Sequence, residues 1–200
     1  MKRMWMACVA IGATAVSVSG VTVSAQQPSA PAAPQAPPSF VGGMKRSWDG
    51  VKRNVSESAE KMPEANYGFK PTPDVRSFGE LVAHVAASQY NTCSRAKGEG
   101  TPPPEAAAAD KLTVKADLVK AMNASIAYCD AVFAAITDDA TALKPITAGQ
   151  NQVIPAQLLW ANTSHSNEHY GNMVTYMRLK GIVPPSTERA QKPPAKPSAE

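Results

Sequence analysis

Between residues 40 and 185 the chain carries four runs in which apolar side chains recur every three or four residues, the spacing of one buried helix face. The first spans Phe40 to Lys61, with Met44, Trp48, Val51, Val55 and Met62 on one side and Pro63 as its stop. A loop from Pro63 to Arg76 holds Gly68, Pro71 and Pro73. Ser77 followed three residues later by Glu80 then predicts a capping box opening a second helix. That helix runs to about Lys97 with Phe78, Leu81, Val82, Val85, Tyr90 and Cys93 inward, and stops before Gly98, Gly100 and Pro102 to Pro104. A third helix is expected from Thr113 to Ile136, with Leu118, Met122, Ile126, Cys129, Val132, Phe133 and Ile136 on its inner face. The connection from Thr137 to Ile154 is long enough to cross one end of a bundle. A fourth helix is expected from Pro155, at a first-turn position, to Lys180, with Gly181 and Pro184-Pro185 beyond.

The two ends differ from this middle. Residues 1–25 read as a secretory signal, with Lys2 and Arg3, an apolar stretch from Met4 to Val23, and the small-residue site Val23-Ser24-Ala25. The competing reading is a permanent anchor helix, since the stretch is near the lower limit for spanning a bilayer. Residues 26–39 contain five prolines and no charge, as expected of an extended linker. Residues 186–200 form a second polar, Pro- and Lys-containing segment, read as a disordered tail. The expected organisation is therefore signal peptide 1–25, linker 26–39, helical domain 40–185 and tail 186–200, in a periplasmic or secreted protein with no stable membrane anchor after cleavage.

Composition supports an all-α fold: alanine is abundant, and there are only four Phe, five Tyr and three Trp. The formal charge of +4 includes Lys2 and Arg3, so cleavage leaves a small balance that implies no nucleic-acid partner. No Gly-rich phosphate loop or Ser nucleophile elbow is present. Removal of Cys8 with the signal leaves Cys93 and Cys129, which an oxidising compartment favours as a disulfide. Two buried thiols are the alternative, because bonding requires Cα atoms roughly 4.4 to 6.8 Å apart.

The chemistry concentrates on the fourth helix. Leu158, Asn162, His165, His169, Asn172, Tyr176 and Leu179 follow steps of four and three, the inward seam of a bundle helix. Its polar middle needs partners, since unsatisfied buried polar groups cost roughly 1 to 3 kcal/mol each. His165 and His169 lie one turn apart on one face and can converge on an ion at about 2.0 to 2.1 Å for zinc. His84, the chain's only other histidine, stands near the middle of the second helix. A facing helix can deliver it to the same point. Taken singly, such histidines are more often ordinary core or surface residues; placing all three on two inward faces is what favours a metal.

The run His165 to Pro185, HSNEHYGNMVTYMRLKGIVPP, resembles the terminal-helix signature of DinB-like proteins, and SFGELVAHVA, Ser77 to Ala86, resembles that family's first-histidine segment. The resemblance covers roughly Phe40 to Pro185. It implies an up-down-down-up four-helix bundle, often a homodimer, whose His84, His165 and His169 bind nickel, zinc or a similar divalent metal beside a cavity. Two departures stand out: Glu168 occupies a position where a further histidine is frequent, and Asn172 replaces the usual Gln. Glu168 is then a candidate outer-shell carboxylate.

Three histidines leave a coordination position free, the arrangement of catalytic zinc, so hydrolysis or group transfer on a small-molecule substrate is chemically accessible. The resemblance alone suggests thiol transfer, and export argues against it because the compartment keeps thiols oxidised. The second reading is a non-catalytic metal- or ligand-binding bundle, and the third is a protein-binding adaptor. Glu168 projects about 100° away from His169 around the helix. Glu80 lies one turn before His84, where an acid in a first helical turn ordinarily caps. Trp48, Tyr67, Phe69 and Trp160 are expected in the core or at a dimer interface.

Overall fold

The computed structural model describes residues 38–192. The signal segment, nearly all of the linker, and residues 193–200 lie outside the described residues.

Helix α1, Phe40–Lys61, starts where Ser39 accepts a hydrogen bond from the Gly42 amide at 3.0 Å. The amides of Phe40 and Val41 donate to the Asp139 carboxylate at 3.1 and 2.9 Å, so a residue far along the chain satisfies two of the four amides a helix start leaves unpaired. Helix α2, Phe78–Lys97, has the expected capping box: the Glu80 amide donates to Ser77 Oγ at 3.2 Å and the Ser77 amide to Glu80 Oε2 at 2.6 Å. It ends at Gly98, whose φ of 93° lies in the left-handed region that suits glycine. Pro104 does more than terminate: it opens a short helix α3, Pro104–Ala109, that packs on α2. Helix α4 spans Lys115–Ala135.

The long connection is built, not irregular. Helix α5, Asp139–Leu143, is followed by the antiparallel hairpin of β1, Ile146–Ala148, and β2, Asn151–Val153, with Ala148 paired to Asn151. A Cβ added at Gly100 would sit 2.9 Å from Gly149 Cα, so the loop after α2 and the hairpin turn approach each other at two glycines. Helix α6 then runs from Pro155 to Leu179 and helix α7 from Pro185 to Gln191.

Contacts along the four long helices give their directions. The end of α1 meets the start of α4, where Lys115 Nζ donates to the carbonyls of Glu60 and Met62 at 2.9 and 2.8 Å. Gly79 lies beside Leu118, and Cys93 is bonded to Cys129 with Cα atoms 5.4 Å apart, so α2 and α4 are parallel. The Tyr176 hydroxyl donates to the Arg76 carbonyl at 2.6 Å while Gln89 reaches Ser166, making α2 and α6 antiparallel. One core cluster joins the start of α1 (Val41, Met44, Trp48) to the start of α6 (Ala156, Leu159), and another joins their ends (Val55, Ala59; Met173, Met177). The result is the up-down-down-up four-helix bundle, held by a disulfide between its two parallel neighbours α2 and α4.

Between the two apolar clusters lies a polar layer. Ser125 Oγ donates to Gln89 Oε1 at 2.7 Å and Gln89 Nε2 donates to Ser166 Oγ at 3.4 Å, linking α4, α2 and α6. On α1, Trp48 stacks on Phe133 with ring centroids 5.1 Å apart and donates its indole N–H to Asp130 at 2.7 Å.

Two expectations change, and of the two places expected for Trp160, core or dimer interface, the first is excluded. The folded part continues past Pro185: α7 lies on α1, with Lys61 bonded to Glu188 at 2.9 Å, Arg189 paired with Glu57, and the Tyr170 hydroxyl donating to Ser186 Oγ at 2.6 Å. These anchors come from distant residues, and a short polar run does not reveal them. The buried stripe of α6 is also rotated from the expected seam, comprising Leu159, Asn162, Thr163, Ser166, His169, Tyr170, Met173, Tyr176 and Met177, while Leu179 is 59% exposed. Trp160 is 52% exposed and outside the core, unlike Trp48 and Tyr67.

Candidate metal centre

Helices α2 and α6 cross antiparallel, and their contact brings His84 against His165 and His169. The Nε2 atoms of His84 and His165 are 3.2 Å apart, and those of His169 and His165 are 3.1 Å apart. The three ligand atoms lie within 4.8 Å of one another. Tetrahedral ligands at about 2.0 to 2.1 Å are separated by about 3.3 Å, so the two separations at His165 match ligation of one ion through Nε2. His169 is buried and the other two are half-buried. All three residues expected from the sequence are thus assembled at one point.

The donor set is prepared for a cation. Burial depresses the pKa of His169 to about 4, and the neighbouring rings of His165 and His84 push in the same direction. Burial is also the main cause that lowers His84, assisted by the positive charge of Arg76 and by His165. His165 is lowered by burial, against the opposing pull of Glu168. All three shifts favour the uncharged ring with its lone pair available, the state that metal ligation needs.

A cavity of about 880 Å³ opens beside the triad, with His84 and His169 on its wall together with Lys70, Arg76, Glu80, Asp110, Asn172 and Tyr176. Its volume lies within the range of small-molecule sites. Tyr176 is fixed at both faces of its role: its hydroxyl holds the Arg76 carbonyl, and its ring meets Phe69 edge-on at 5.9 Å.

The carboxylates separate by position. Glu80 is engaged by Ser77 and by Lys70 at 3.3 Å; the Ser77 amide is the first cause holding its pKa below the usual carboxylate range. It caps α2. Glu168 is exposed and raises the affinity of the rings for protons, so it acts on them through space. Asp110, just after α3, stands on the cavity wall and acts on His84 in the same sense. Neither Asp110 nor Arg76 was indicated by helical periodicity. Both lie in connecting segments, and only the packing of those segments against α2 brings them to the site.

A sequence profile of the DinB superfamily matches residues 47–173. The chain belongs to the DinB superfamily. No curated protein sequence matches it significantly. Among solved structures, a DinB-like protein from Bacillus cereus superposes with a TM-score of 0.59 at 12% identity, covering 72% of this chain and 95% of its own. YfiT from Bacillus subtilis, described as a probable metal-dependent hydrolase with an unusual four-helix bundle topology, gives 0.55 at 14% identity over 75% of this chain and 94% of YfiT. A mycothiol-dependent maleylpyruvate isomerase gives 0.52 at 20% identity, over 66% of this chain and 60% of the isomerase. At these identities the likeness establishes the DinB fold, and the triad geometry carries the functional argument.

Proposed function

We propose that this DinB protein holds one divalent ion, nickel or zinc, through His84, His165 and His169, and uses it to hydrolyse a small-molecule substrate bound in the adjoining cavity. The observation that carries this reading is the convergence of three imidazole Nε2 atoms, two of whose rings line a cavity of about 880 Å³. An ion held by three protein donors keeps a position for an exogenous ligand, polarises a bound carbonyl or phosphoryl oxygen and acidifies water. The protein's own part is to hold the rings neutral, to orient them from two rigid helices, and to shape the cavity with Tyr176 and Leu81. With Glu80 engaged in the helix cap, Asp74 and Asp110 are the wall carboxylates left to transfer a proton. Group transfer uses the same centre; the resemblance to a thiol-dependent isomerase supports it, and oxidising surroundings oppose it.

Export is part of the same proposal, supported by the Cys93 to Cys129 bond, which persists in an oxidising compartment. A homodimer is the proposed assembly, with the exposed Trp160 indole available to a second copy.

The test is elemental analysis of the parent and of a His165→Ala, His169→Ala double variant, both purified without metal-affinity resin, followed by ester, amide and phosphate-ester hydrolysis assays. One equivalent of metal in the parent, almost none in the variant, and activity that chelation abolishes and metal restores are the expected results. A parent that neither retains nor rebinds metal removes the proposal. Metal binding without turnover instead selects the second reading, a metal- or ligand-binding bundle, which the capping role of Glu80 favours.

A further inference from the structure

The cavity beside the triad carries two cations in different situations. Lys70 is paired with Glu80 at 3.3 Å. Arg76 is the residue before the Ser77 cap, and the Tyr176 hydroxyl holds its carbonyl at 2.6 Å, which fixes the main chain from which the side chain extends. Among the described residues its guanidinium has neither an ion pair nor a hydrogen bond, and residue 76 is exposed on the cavity wall.

That position has an electrostatic consequence. Arg76 lines the same cavity as His84 and His169, so a divalent ion held by the triad would face the guanidinium across that cavity. Two positive charges facing one cavity favour an anion between them. Of the carboxylates on the wall, Asp74, Glu80 and Asp110, Glu80 is engaged by Lys70, and among the described residues none is paired with Arg76. A negative group lying between Arg76 and the triad relieves both charges at once. A guanidinium meets an oxyanion with two parallel N–H donors, which fixes orientation as well as affinity.

We propose that Arg76 is the recognition residue for a substrate carrying a carboxylate or phosphate group, binding that oxyanion so that the adjoining reactive bond is directed to the triad. The inference rests on the metal-dependent reading of the triad given above. Lys70, closed off by Glu80, does not compete for the anion, and the cavity has room for a small organic acid or phosphate ester.

The test is titration calorimetry of the metal-loaded full chain with succinate, inorganic phosphate and uncharged succinamide, in the parent, Arg76→Lys and Arg76→Gln, with metal content measured on the same samples. Saturable binding of an anion by the parent, weakened about tenfold or more in Arg76→Gln and partly recovered in Arg76→Lys, is expected. Succinamide should not bind, and metal content should be equal across the three. Which probe binds more tightly separates a carboxylate substrate from a phosphate one. Equal affinity in parent and Arg76→Gln, or no saturable anion binding by the parent at millimolar concentration, overturns the proposal. A parent without metal ends the metalloprotein reading separately, and the same titrations on metal-free protein then decide whether Arg76 binds anions. The thermal midpoint of Arg76→Gln should match the parent, since the side chain is exposed and without an internal partner; a matched midpoint assigns any lost binding to the guanidinium.

Discussion

The side-chain amide of Asn172 lies 3.3 Å from Nδ1 of His169, one turn along α6, while Nε2 of the same ring faces His165. Ligation through Nε2 places the ring proton on Nδ1, so the acceptor oxygen of the carboxamide must turn toward it. Asn172 would thereby orient the His169 ligand of the proposed ion without touching that ion. Outer-shell partners of this kind are worth about 10- to 100-fold in metal affinity. Asn172→Leu should weaken zinc binding by at least the lower figure in a chelator competition, and Asn172→Asp should restore or strengthen it. Equal affinity in parent and Asn172→Leu would show that the contact has no orienting role.

Acid should destabilise the metal-free protein before carboxylates begin to protonate. His169 has a folded-state pKa of about 4 against 6.5 for the free side chain, so between those values the unfolded chain binds more protons than the folded one. The stability this ring contributes is therefore fully present above pH 6.5 and is lost as pH falls toward 4. His84 and His165 shift the same way and add to the slope. Thermal midpoints measured across that window should fall with pH in the parent and fall less in His169→Gln; parallel curves would contradict the assignment.

The Cys93 to Cys129 bond spans 36 residues of sequence and joins two parallel helices through the core. Closing a loop of that length restricts the unfolded chain by about 4 kcal/mol at 25 °C on the chain-entropy account. Replacing both cysteines by alanine should lower stability by about 2 to 4 kcal/mol in denaturant titration. Because the bond lies away from the triad's ligand atoms, the variant should still bind one equivalent of metal at a temperature where it remains folded.

Helix α7 should prove part of the domain. Truncation after Val183 removes Ser186, which holds the Tyr170 hydroxyl at 2.6 Å, and uncovers the end of α1. The truncated chain should unfold at a lower temperature than the parent. Arg189→Ala alone, removing a partly exposed pair with Glu57, should cost less than about 1 kcal/mol. A truncation with an unchanged midpoint would return this segment to the status of a tail.

Local rules made the four long helices legible. Periodicity places Trp48 and Met44 on one face of α1 and Phe78 and Leu81 on one face of α2, Ser77 with Glu80 marks a start, and Gly98 marks an end. All of these are decided within a few residues of chain. The candidate triad was legible for the same reason: His165 and His169 are one helical turn apart, and His84 lies on an otherwise apolar face. What only the tertiary structure decided depends on residues far apart in sequence. The rotation of α6 that buries Ser166 and exposes Leu179 follows from how it packs against α1 and α2 together. The helix at Pro185–Gln191 is held by Glu57, Lys61 and Tyr170, and the cavity charges Arg76 and Asp110 come from connecting segments whose local sequence carries no period. Secondary structure answers to neighbours along the chain; the environment of the triad answers to neighbours in space, and it is that environment which favours the uncharged rings and sets the Arg76 guanidinium on the cavity wall beside them.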